Sequence, residues 1–273
     1  MDKPLQPKVA IIGLGYVGLP LALQFARSGV NVLGLDIDAD KVDALNNGLS
    51  YIKHVSEETV AEQVMARRLA ASTDFARVKG VDAVIICVPT PLNKNREPDI
   101  CFVLQTGRAI SPYIRQGAVV VLESTTYPGT TDEDLRAVLE AGSGLRAGQD
   151  FHLAFSPERE DPANPVSKVG EVPKLVGGLT PKCLEKAVQI YGQAIKTVVP
   201  VSTCRVAEAA KLLENSFRSI NIAFVKELKL VYGAMGIDVW EVIEAAKTRS
   251  FGFTRLIPVL GLADMAFRST RFI

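Results

Sequence analysis

Three glycines and an acid carry the most specific chemistry in this chain. Lys8 to Leu21 reads KVAIIGLGYVGLPL, and Asp36 closes the next apolar run, VNVLGLD. A short buried strand followed by Gly13-x-Gly15-x-x-Gly18 and an apolar helix is what seats a dinucleotide pyrophosphate on a helix N-terminus. Gly13 makes the tight turn, Gly15 lets backbone amides reach the phosphates, and Gly18 lets the helix press on the sheet. Tyr16 and Val17 lie in the same loop. Asp36, 18 residues beyond Gly18, stands where a carboxylate accepts ribose hydroxyls and repels a 2′-phosphate, which favours NAD over NADP. A glycine-rich turn without a ligand is the plain alternative, and the order strand, glycines, helix, strand, acid argues against it.

Two further loops fall at the ends of apolar runs. CVPTPL (Cys87 to Leu92) offers Val88, Pro89 and Thr90, and ESTTYPGTT (Glu123 to Thr131) offers Ser124, Thr125 and Thr126. Proline fixes backbone amides beside a nicotinamide or ribose, and the hydroxyls suit cofactor and substrate; capping of a Pro-Gly turn is the local alternative. A third loop, FSPERE, sets Glu158 beside Arg159. It reads either as an exposed salt-bridged loop or as a carboxylate and guanidinium over a sugar nucleotide. Farther on, AEAAKLLENSFRSIN spaces Glu208, Lys211, Asn215 and Arg218 on or near one helix face. Lys211 and Asn215 are one turn apart, so an ammonium and an amide could meet one developing oxyanion. Taken alone, a solvated helix face accounts for the pattern better.

The elements that must position these groups follow from the apolar runs. KVAIIGL, VNVLGLD, DAVIICVPT, AVVVLEST and FHLAFSP alternate with helical stretches around 18–28, 56–68, 99–115 and 131–141. That alternation predicts an α/β fold, a doubly wound parallel sheet forming a Rossmann domain over 1–202, closed by a further strand at 196–202. Thr203 to Ala246 has helical apolar spacing and no proline. It predicts a long central helix, a break near Gly233 and Gly236, and a short helical segment over IDVWEVIEAAK. A helix of that length is a spine between domains, a dimer surface, or a helix packed on its own domain. The dimer reading places Leu212, Phe217, Ile220 and Phe224 against a partner chain.

The 273 residues carry a formal net charge of +1, 48% hydrophobic residues and four cysteines without CxxC spacing. The charge argues against nucleic acid and anionic membrane as partners. The cysteines read as reduced thiols, with no metal site expected. No run approaches the roughly 20 apolar residues of a membrane helix, and MDKPLQPK lacks a signal-peptide core, so a cytoplasmic protein is expected.

Together these motifs resemble the UDP-glucose/GDP-mannose dehydrogenase family, from about Lys8 to Phe253: GLGYVGLP, CVPTP, STTYPGTT, SPERE, KLVGG, AEAAKLLENSFRSINIAF, and DVWEVIEAA with FGF. SPEREDPANP with PKLVGG is most similar to its UDP-N-acetylglucosamine 6-dehydrogenases. Ala163 stands where that subgroup usually has glycine, and Lys226 where asparagine is common. The resemblance implies NAD as cofactor, held by Gly13, Gly15, Tyr16, Val17, Gly18, Asp36, Val88, Pro89, Thr90, Ser124 and Thr125. It implies a UDP-sugar as substrate, held by Glu158, Arg159, Lys211, Asn215 and Arg218. Catalysis would fall to Lys211, Asn215, Thr125 and Glu158, with oxidation of the sugar 6-hydroxymethyl group to a uronic acid for surface polysaccharide by two hydride transfers. In the family a cysteine in a GGHCIPxDP segment carries the second step through a thioester. That segment is not found here.

From Arg255, RLIPVLGLADMAFRSTRFI ceases to resemble the family. Back-translated one base earlier, Ile257 to Ile273 permits Gly-Gly-His-Gly-Ile-Pro-x-Asp-Pro, the missing segment with glycine in place of cysteine. The expectation is therefore a truncated enzyme lacking full activity, organised as 1–202, a central helical segment 203–253 and an aberrant tail 254–273, with the family's UDP-binding domain absent. The rival readings are a non-enzymatic NAD-binding and dimerisation module, and a 3-hydroxyacid dehydrogenase. The lysine and asparagine pair suits the latter, but CVPTP and SPERE do not.

Overall fold

The computed structural model describes residues 8–95, 98–159, 170–246 and 248. The tail from Arg255, the FGF motif, Ala163 and the end of the SPERE run lie outside the described residues. By internal packing the chain divides into two units, one ending at Ala209 and the other beginning at Ala210.

The first unit is built on strands β1 (Lys8–Ile12), β2 (Asn31–Leu35), β3 (Leu69–Ser72), β4 (Ala83–Ile86), β5 (Val119–Leu122), β6 (His152–Phe155), β7 (Lys174–Gly178) and β8 (Val198–Val201). They form one sheet in the order β3-β2-β1-β4-β5-β6-β7-β8. Strands β4, β5 and β6 are buried at every residue, as parallel strands covered on both faces must be. The order reverses direction between β1 and β4, which creates the crevice where ligands of such sheets bind. The sheet is not parallel throughout. Strand β7 runs antiparallel to β6, with Ala154 opposite Gly178, and β8 runs parallel to β7, so the amino ends of β7 and β8 lie at the carboxyl ends of β1 to β6.

Helices α1 (Gly18–Arg27), α2 (Ala39–Asn46), α3 (Glu57–Met65), α4 (Cys101–Ile110), α5 (Arg136–Ser143) and α6 (Pro181–Tyr191) connect the strands. Phe25 of α1, Val60 of α3 and Tyr191 of α6 share one apolar cluster with Val9, Ile11, Ile85 and Val121 of the sheet. The helix expected around 131–141 begins instead as a π-helical turn, Thr130–Leu135. The one expected over 99–115 ends at Ile110 and continues as a 3-10 turn, Ser111–Tyr113. Helix α2 escaped the sequence reading because it is short and mostly polar; Asp38 starts it by accepting from the N–H groups of Asp40 and Lys41.

Helix α7 (Cys204–Ala234) leaves β8 and continues into the second unit, where α8 (Val239–Ala246) follows a turn at Gly236, φ +73. Within that unit Val225, Leu228 and Tyr232 of α7 pack on Val239, Trp240 and Ile243 of α8.

Candidate functional site

Strand β1 runs directly into Gly13, whose φ of +89 is a conformation that favours glycine. A Cβ on Gly18 would lie 1.9 Å from the Gly13 carbonyl oxygen, so only glycine lets α1 close on the loop. Gly15 differs. A Cβ there would meet nothing within 4 Å, which leaves the loop's outer side open to a ligand. At the end of β2 the buried Asp36 carboxylate accepts from the Leu14 N–H at 2.7 Å and the Asp38 N–H at 3.0 Å. Each carboxylate oxygen has two lone pairs, so acceptor capacity remains for ribose hydroxyls. Tyr51 donates its hydroxyl to the Leu14 carbonyl at 2.6 Å, holding the loop from the other side. Val17 is the residue before α1, and the exposed Tyr16 ring stacks on His54 with centroids 5.7 Å apart.

The next two loops are laced to each other. Thr90 Oγ1 donates to the Thr125 carbonyl at 2.7 Å, and Ser124 Oγ donates to the Val88 carbonyl at 2.6 Å. The hydroxyl protons of Thr90 and Ser124 are thus committed within the protein, and their oxygens remain acceptors. Among the described residues, buried Thr126 Oγ1 has no hydrogen-bond partner. The loop ends on a buried acid: Glu208 accepts from the Gly129 N–H at 2.9 Å, the Thr131 N–H at 3.0 Å and the Thr131 hydroxyl at 2.7 Å. Burial pushes its carboxyl up, against hydrogen bonds that favour the charged form. Arg205 pairs with Asp132 at 2.8 Å and with Glu133, adding a second tie between α7 and the π-helical turn.

The third loop holds residues that sequence reasoning missed. Glu158 Oε2 accepts from Lys174 Nζ at 3.1 Å, and the same ammonium pairs with Glu123 at 3.0 Å. Tyr191 donates its hydroxyl to Glu123 Oε1 at 2.5 Å, and Cys87 Sγ lies 3.9 Å from Glu123 Oε2. Lys174 and Glu123 are buried. Burial disfavours the Lys174 ammonium, but the two carboxylates outweigh it and hold its pKa above the ordinary lysine range. Burial likewise pushes Glu123 up, and its cation only partly offsets that. The Glu158 carboxylate is therefore turned to Lys174, whereas the Arg159 guanidinium donates to the Pro173 carbonyl at 3.1 Å. The sequence signal was available in the lysine that opens KLVGG, but nothing local placed it beside Glu158.

The first unit thus gathers Gly13, Gly15, Gly18, Asp36, Val88, Pro89, Thr90, Ser124, Thr125, Glu158 and Arg159 at the carboxyl ends of β1, β2, β4, β5 and β6. Lys211, Asn215 and Arg218 belong to the second unit, on α7. Lys211 and Asn215 are half-buried one turn apart, and Arg218 is exposed. Among the described residues no group of three histidines, cysteines or acids is placed to hold a metal ion, and no helix is long and apolar enough to cross a membrane.

Comparison with known proteins agrees with this geometry. Residues 7–195 match the NAD binding domain of the UDP-glucose/GDP-mannose dehydrogenase family, and residues 205–269 match its central domain. The second match runs past Arg255, where the motif resemblance ends. The UDP-N-acetyl-D-glucosamine 6-dehydrogenase of Pseudomonas aeruginosa is 37% identical over 243 residues, covering 89% of this chain and 57% of that protein. A UDP-D-ManNAc dehydrogenase structure from Pyrococcus horikoshii superposes with a TM-score of 0.85 at 33% identity, covering 92% of this chain and 59% of that one. A ternary complex of GDP-mannose dehydrogenase from Pseudomonas aeruginosa gives 0.83 at 26% identity, covering 97% and 64%. The chain spans less than two thirds of each of these relatives. The open side of Gly15, the spare lone pairs of Asp36 and the unpartnered Thr126 hydroxyl fit NAD as the cofactor of this domain.

Proposed function

Because the chain belongs to the UDP-glucose/GDP-mannose dehydrogenase family, we propose that it serves NAD-dependent oxidation of a UDP-N-acetylhexosamine at the 6-hydroxymethyl group. UDP-N-acetylglucosamine is the substrate of first choice, and a uronic acid for surface polysaccharide is the product of the complete reaction. The observation that carries this reading is the clustering of Asp36, Thr125 and Glu158 with the glycine loop at one end of the sheet. Bound NAD supplies the hydride acceptor. Asp36 fixes the adenosine ribose, Val88 to Thr90 and Ser124 to Thr125 border the nicotinamide half, and Lys211 with Asn215 stabilises the alkoxide oxygen as the hydride leaves. Glu158, Arg159 and Arg218 orient the sugar nucleotide.

The second oxidation needs a thiolate, and none of the four cysteines is prepared as one. Burial pushes the Cys87 and Cys204 thiols up, Cys183 is buried, and the neighbouring Asp99 carboxylate pushes the exposed Cys101 thiol up. The chain by itself therefore stops at trace aldehyde, which also favours a second reading, a non-catalytic NAD-binding and dimerisation module. In either reading it is a cytoplasmic homodimer. Phe217, Ile220 and Phe224 are exposed along one side of α7 together with Leu213 and Val231, a spacing suited to a partner helix; Leu212 is half-buried.

Calorimetry and NADH formation test the proposal. NAD binds more tightly than NADP, Asp36→Ser narrows that gap, and NADH appears in trace with UDP-N-acetylglucosamine and less with UDP-glucose. Equal affinity for NADP overturns the cofactor assignment, turnover of 3-hydroxyacids alone overturns the substrate class, and two NADH per sugar overturns the argument from the cysteines.

A further inference from the structure

At the opposite end of the sheet, a groove of about 520 Å³ is lined by Lys8, Arg67, Arg68, Arg77 and Lys79 and by no carboxylate. Five cations there contrast with a net charge of +1 for the whole chain. They come together because Lys8 opens β1, Arg67 and Arg68 immediately precede β3, and Arg77 and Lys79 sit in the 3-10 turn Phe75–Gly80 before β4. The acids adjacent in sequence are already engaged, one of them at the backbone of Lys8. Asp74 caps the 3-10 turn at the Ala76 N–H at 3.0 Å, and Asp82 accepts from the Lys8 N–H at 2.8 Å and pairs with Arg115.

The backbone at Arg67 supplies an independent observation. Helix α3 ends in a Schellman turn, with the Arg67 N–H bonded to the Val64 carbonyl at 2.9 Å and the Arg68 N–H to the Gln63 carbonyl at 3.0 Å. The position after the cap in that turn needs a left-handed conformation, for which glycine is the unstrained residue. This chain places an arginine there, at φ +55, the one positive-φ residue other than glycine among those described. An arginine held where the backbone favours glycine points to a use for its charge.

We propose that this groove is a second ligand site, for a small oligophosphate anion such as inorganic pyrophosphate or the phosphate chain of a nucleoside di- or triphosphate. Its volume lies within the range of small-ligand clefts, and guanidinium groups match phosphate oxygens in paired hydrogen bonds. The groove lies at the amino ends of β1 to β4, so the site is separate from the glycine-rich loop and does not depend on the dehydrogenase reading.

Titration of the NAD-saturated chain with pyrophosphate, ATP and adenosine at about 0.15 M salt tests it, since that salt screens loose surface attraction. Pyrophosphate and ATP are expected to bind with one further equivalent, and adenosine not to bind. Equal affinity for the two phosphates identifies the phosphate chain alone as the ligand; tighter ATP binding identifies a nucleotide. The pair Arg68→Gln with Arg77→Gln weakens that binding at least tenfold and leaves NAD affinity unchanged. Arg67→Gly weakens it too while holding or raising the melting temperature. Absence of saturable binding, or binding indifferent to these substitutions, overturns the site. Loss of thermal stability in Arg67→Gly with unchanged phosphate affinity reduces the arginine to a partner of the α3 carboxyl end and overturns it as well.

Discussion

At the scale of single residues, the most consequential side chain is the lysine that opens KLVGG, whose partners lie in other segments of the chain. Lys174 stands between Glu123 and Glu158 at 3.0 and 3.1 Å. Removing the cation from a buried pair leaves an uncompensated charge, so Lys174→Met should destabilise the first unit by about 3–5 kcal/mol. Denaturant unfolding measures this, and Lys174→Met combined with Glu123→Gln should recover a large part of the loss. His152, at the start of β6, gives a pH signature. Its ring is buried, with no hydrogen-bond partner for Nδ1 among the described residues, and burial, with help from Lys182 and Lys186, lowers its pKa below the usual 6.5. The unfolded chain then binds the proton more readily than the folded one. Stability should be complete above about pH 6.5 and decline as pH falls through the interval down to the lowered folded value. His152→Leu should flatten this decline below about pH 6.5 in thermal melts; an unchanged slope would show that the ring is not its source.

Among the elements, the glycine-rich turn separates folding from binding within six residues. A Cβ on Gly18 would overlap the Gly13 carbonyl, whereas one on Gly15 would project into open space. Gly18→Ala should therefore cost about 1–3 kcal/mol, since the loop must shift to admit the methyl group. Gly15→Ala should leave the melting temperature unchanged and weaken NAD, because its methyl group occupies the approach to the pyrophosphate. Side-by-side melts and calorimetry read the two effects, and a stability loss in Gly15→Ala would contradict this account of the loop. The π-helical turn behind the second strand-end loop is set differently, by Glu208 reaching Gly129 and Thr131 from the start of α7. Nothing in TTYPGTT alone asks for a π turn.

For the whole molecule, the proposed dimer rests on the apolar residues of α7 that are exposed among those described. Ile220 and Phe224 are 68% and 58% exposed in the isolated chain, and burying such side chains is worth roughly 1.5–3 kcal/mol each. A dimer should form at micromolar concentration, and Ile220→Glu with Phe224→Glu should convert it to monomer in light scattering without altering NAD affinity. A monomeric unmutated chain at that concentration would remove the dimer from the proposal.

The sequence by itself determined the parts whose signal is local. VAII and AVVVL are buried strands by composition, Gly13 to Gly18 with Asp36 is a complete short-range pattern, and Gly236 marks the end of α7 because a left-handed turn favours glycine. Tertiary structure decided what depends on register between distant segments. The KLVGG segment has no strand-length apolar run, yet it forms β7 because its glycines allow close packing: a Cβ on Gly177 would lie 2.1 Å from the Thr203 carbonyl, and one on Gly178 2.3 Å from the Leu184 nitrogen. The antiparallel turn of that strand then brings Lys174 to the carboxyl end of the sheet, beside Glu158 and Glu123. Local periodicity reports which face of an element is buried; it cannot report which charged side chain a strand some fifty residues away will deliver, because pairing and direction are settled only when the sheet closes.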